Sequence, residues 1–92
     1  MNKYSKSDIN DGIALIRTGI CSIMHDIARG EISEYELDLP INAKAISDII
    51  KGFDADIKFV YDIHNRIFYY KIGNCEVALL QYNDKVIISL VC

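Results

Sequence analysis

An α+β sandwich, with two helices packed on one face of an antiparallel sheet of four to five strands, is the fold this 92-residue sequence predicts. Three observations predict it. Isoleucines recur at steps of three and four through the first third of the chain. Residues 34–39 alternate strictly between acidic and apolar side chains. Three turn dipeptides then divide the second half into runs of strand-forming residues. The implied order is α-β-α-β-β-β-β, in a single domain over residues 1–92.

The first helix is expected near residues 6–29. Ile9, Ile13, Ile16, Ile20, Ile23 or Met24, and Ile27 form one stripe of a 3.6-residue period. Ser5 is placed to cap it, Asp8 completes a capping box, and Tyr4 with Ile9 makes a hydrophobic staple. Gly30 is the stop. Gly12 and Gly19 fall on nearly the same side, where either a close neighbour or simple tolerance accounts for them.

A half-buried strand follows, with Glu34, Glu36 and Asp38 on its outer face and Tyr35, Leu37 and Leu39 on its inner one. Pro40 ends it. Asn42 then caps a second helix over residues 43–51, with Ile41 and Ile46 as a staple. Ile46, Ile49, Ile50 and Phe53 are its expected buried side, and Gly52 its exit.

From Ala55 onward four strands are joined at His64-Asn65, Gly73-Asn74 and Asn83-Asp84. Read as two-residue loops, these turns pair Ile63 with Arg66, Tyr61 with Phe68 and Phe59 with Tyr70. They also pair Ile72 with Cys75, Tyr70 with Val77, Leu79 with Ile88, and Tyr82 with Lys85. The large apolar residues then share one face, toward the helices, with Gln81 alone out of character. The opposite face is the more informative one. Lys71 and Glu76 fall opposite each other, as suits a wet surface. Yet Val60, Ile67, Tyr69, Leu80 and Ile87 are contiguous there, and two helices leave nothing to cover them.

Composition narrows the function classes. At 51% apolar and 25% charged the chain is globular rather than disordered. The apolar run Val77–Leu80 is far too short to cross a membrane, and the first residues do not form a signal-peptide core. Cys21, Cys75 and Cys92 show no CxxC spacing, so reduced thiols and a cytoplasmic location are expected. Cys75 and Cys92 do fall opposite each other in the inferred register. A net charge of −3 carries no basic footprint for nucleic acid. One local excess stands out: Glu31, Glu34, Glu36 and Asp38 have no base among them.

No residue set specifies a chemistry. Cys21 and His25 lie four apart on the first helix, the spacing of a nucleophile pair or two metal ligands, but no third ligand is implied. His64-Asn65-Arg66 is explained by turn formation alone. The glycines form no phosphate-binding loop. The expectation is therefore no catalytic residue, no metal and no cofactor.

What remains is a surface. The acidic residues Glu31, Glu34, Glu36 and Asp38 suit a basic partner protein, and Val60, Ile67, Tyr69, Leu80 and Ile87 suit an interface or homodimer face. In size and charge the chain is similar to small phage-encoded inhibitors and toxin-immunity proteins, which act by occluding a partner. The expected function is that of a soluble protein-binding module. A nucleic-acid-binding regulator and a purely structural homodimer are the alternatives.

Overall fold

The computed structural model describes residues 6–37 and 40–91, with side chains from residue 14 onward. The order is α1 (Lys6–Ala28), β1 (Glu34–Leu37), α2 (Ala43–Ile50), β2 (Lys58–Ile63), β3 (Ile67–Ile72), β4 (Cys75–Tyr82) and β5 (Lys85–Leu90). The strands form one antiparallel sheet in the order β1-β5-β4-β3-β2. The α-β-α-β-β-β-β sandwich expected from the sequence is the fold. The capping box at Ser5 and Asp8, the Tyr4–Ile9 staple, Asp38, Leu39 and Cys92 lie outside the described residues or side chains.

Each helix ends where its local chemistry dictates. Gly30 adopts φ +80°, a left-handed conformation that costs glycine little. Its N–H reaches Ile27 O at 3.0 Å while Glu31 N–H reaches Asp26 O at 2.9 Å, a Schellman closure that satisfies the last carbonyls of α1. Asn42 caps α2, its side-chain oxygen accepting from Ala45 N–H at 2.8 Å. Gln81, the polar exception on the inner face, has a reason to be there. Its Oε1 accepts from Ala43 N–H at 2.7 Å, so the sheet itself satisfies a donor in the first turn of α2. At the other end of α2, Arg17 of α1 donates to Ile49 O at 2.7 Å, where a cation suits the helix C-terminus.

The core lies between the helices and the inner face of β3, β4 and β5. Ile20, Met24 and Ile27 of α1, Ile46 and Ile50 of α2, and Phe68, Val77, Leu79 and Ile88 of the sheet are buried there. α1 packs chiefly on β4 and β5, and α2 on β3 and β4. β2 extends past both helices, and all six of its residues are exposed.

Two expectations fail, and both failures trace to weak burial. Phe53 is 45% exposed rather than buried beneath α2, and its ring lies under the Arg17 guanidinium, 5.8 Å from the centroid. The β2 register also differs. Arg66 N–H does close the expected turn on Ile63 O at 2.9 Å, with His64 and Asn65 both at positive φ. The ladder nevertheless resumes with Ile63 opposite Ile67, so Arg66 is an extra residue on the β3 side. A bulge between Phe59 and Tyr61 compensates on the β2 side and restores the expected pair Phe59–Tyr70. Between these irregularities Tyr61 pairs with Tyr69, not Phe68, and Asp62 takes the place opposite Phe68. A strand that no helix covers gains nothing from turning its apolar side inward, so burial does not hold its register. Among the described residues, the expected pairs of β3 with β4 and of β4 with β5 occur, Lys71 opposite Glu76 among them.

Candidate interaction surface

The outer face of the sheet is built from two adjacent rows that each cross all five strands. One runs Glu34, Ser89, Ala78, Tyr69, Tyr61; the next runs Glu36, Ile87, Leu80, Ile67, Ile63. At about 4.8 Å between strands, each row spans roughly 19 Å. Both rows change character in the same direction, from a carboxylate on β1, through small or aliphatic residues on β5 and β4, to aromatic and branched residues on β3 and β2. The acidic strand and the apolar patch, separate features in the sequence, are therefore one continuous surface.

Four residues of the expected apolar patch, Ile67, Tyr69, Leu80 and Ile87, lie in these rows and are half-buried. Val60 sits in the bulge, outside the ladder, at 48% exposure. Its place is taken by Tyr61 and Ile63, exposed by 48% and 39%. The Tyr61 and Tyr69 rings stack with centroids 4.6 Å apart. Sequence reading missed both residues because the shift that turns them outward comes from Arg66 and Val60, which carry no bulge signature such as a glycine. Ala78 forms the floor of the first row, 3% exposed yet not part of the helix-side core.

The acidic set divides. Glu36 makes a long contact to Lys85 at 3.7 Å, and Glu31 leaves the strand to meet Arg29 at 2.7 Å. Arg29 also pairs with Asp26. Among the described residues of this set, Glu34 and Glu36 belong to the outer face, and both are exposed.

Two polar clusters lie elsewhere. A cleft of about 220 Å³ opens between α2 and β2, with Phe59, Phe68 and Tyr70 among its walls. At its base the Tyr70 hydroxyl meets Ser47 Oγ at 2.6 Å, and burial holds the phenol above its ordinary pKa. A phenol so shifted is a hydrogen-bonded wall rather than an activated nucleophile. Cys21 and His25 sit in different surroundings. Cys21 is buried, its thiol pushed up by burial and then by the Asp54 carboxylate, while His25 Nε2 contacts Asp54 Oδ2 at 3.0 Å. A thiol raised in this way is a poor nucleophile.

Comparison with known protein families, with curated proteins and with solved structures finds no match to this chain. No helix among the described residues is long and apolar enough to cross a membrane.

Proposed function

We propose that this chain is a protein-binding module of the inhibitor or immunity type, acting by laying the outer face of its sheet over a partner. The carrying observation is the graded double row from Glu34 and Glu36 to Tyr61 and Ile63. An exposed apolar surface of this extent on a small domain is the mark of an interaction site. The carboxylates at one end define the partner: an apolar patch bordered by lysine or arginine, whose opposite charge speeds encounter and fixes orientation.

The same grading disfavours the other readings. Nucleic acid would bring phosphates against Glu34 and Glu36. A second copy related by an axis along β4 sets those carboxylates over Tyr61 and Ile63, and one related by an axis across the strands sets them over their own kind. Neither arrangement sets a base of the second copy directly opposite them.

Affinity capture with matched variants tests this reading. The native chain retains a partner whose contact surface carries Lys or Arg; Ile63→Lys and Glu36→Lys each release it, and Leu15→Ser, at a 74%-exposed apolar residue of α1, does not. Retention by all variants contradicts the proposal. A solution mass of twice 10.4 kDa that Ile63→Lys halves would replace the hetero-partner with a homodimer.

A further inference from the structure

We propose that His25, Asp54 and Asp56 form a binding site for a borderline transition-metal cation of the Zn²⁺ class, clasping the end of α1 to the loop between α2 and β2. The ligand-type atoms of the three residues lie within 4.8 Å of one another. They come from two independently braced elements. His25 stands in the last turn of α1. The loop is shaped by Gly52 at φ +70° and by Ile57 N–H bonding Asp54 O at 3.1 Å. Asp56 N–H also donates to Asp54 Oδ1 at 2.9 Å, which holds the two carboxylates on one short turn.

Zn²⁺ takes imidazole nitrogen and carboxylate oxygen at about 2.0–2.2 Å, so tetrahedral donors stand roughly 3.4 Å apart. The 3.0 Å separation of His25 Nε2 and Asp54 Oδ2 already approaches that edge. Asp56 is exposed, and its carboxylate swings in without disturbing packing. Cys21, one turn earlier on α1, is buried and supplies no fourth ligand. His25 and Asp56 also line an open cleft with Lys58 and Lys71, from which water or an incoming donor completes the shell.

The donor set also selects the metal. Ca²⁺ takes about six to eight oxygen ligands, and Mg²⁺ binds largely through charge and retained water. Three donors with one nitrogen, beside the two lysines, meet neither need. Zn²⁺, Co²⁺ and Ni²⁺ gain from the imidazole bond itself.

The test is calorimetric titration of the metal-free full chain with Zn²⁺, with Co²⁺ absorption as an independent readout and Ca²⁺ and Mg²⁺ as controls. The expected result is one saturable equivalent of Zn²⁺, a rise in Tm on saturation, and no binding of Ca²⁺ or Mg²⁺. His25→Gln and Asp56→Asn should each weaken Zn²⁺ by about tenfold or more, the fold being verified by circular dichroism. Asp56→Asn carries the test alone if the helix variant misfolds, because Asp56 is exposed. Absence of saturable Zn²⁺ binding overturns the site and leaves His25–Asp54 as a tether. Binding that both variants retain overturns it too, as adventitious capture by thiols or His64.

Discussion

Asp54 shows how much a single carboxylate organises. It receives the His25 ring at 3.0 Å and the Asp56 N–H at 2.9 Å, and these two hydrogen bonds, the imidazole first, hold its pKa below the usual carboxylate value. A carboxyl depressed by folding contributes stability above its unfolded pKa of about 3.9, and that contribution is lost as pH falls through the lower folded value. Asp54→Asn is therefore expected to lower the neutral-pH denaturation midpoint and to flatten the acid limb of stability against pH. An unchanged acid limb would show that the pair holds nothing together. Gly19 gives a prediction of opposite sign. A Cβ built there meets nothing within 4 Å, so tolerance rather than close approach explains this helical glycine. Gly19→Ala should stabilise the chain by about 1 kcal/mol, read from urea midpoints at constant slope.

Among the elements, β2 and β3 are neighbours with opposite energetics. Phe68 is 3% exposed in the core, whereas Tyr61 gains only its stack on Tyr69. Phe68→Ala is expected to cost about 3–5 kcal/mol through lost transfer energy and a cavity. Tyr61→Ala should cost about 1 kcal/mol. Comparable losses at the two positions would contradict the exposed position of Tyr61. The same contrast explains what was legible in the sequence. α1, α2 and the β3-β4-β5 register could be read because Ile20, Ile46, Leu79 and Ile88 must all reach one core, and a shift by one residue expels them. β2 could not be read in the same way, because its residues are exposed whichever way they turn. The joining of Glu34 and Glu36 to the apolar rows was also hidden. It depends on β1 pairing with β5, a contact between strands about fifty residues apart that no turn signal announces.

For the molecule as a whole, two helices and five strands leave one sheet face uncovered among the described residues. The chain's 51% apolar content exceeds what the helix-side core takes up, and part of the surplus lies in the two outer rows. The central claim is that these rows act as one surface on a partner with basic residues beside an apolar patch. The most direct measurement is partner retention by variants at the two ends of a single row, Glu36→Lys and Ile63→Lys, whose strands lie at opposite edges of the sheet. Loss of the same partner in both, with the native fold retained by circular dichroism, is the predicted result. A partner lost at one end and held fully at the other would contradict a single surface.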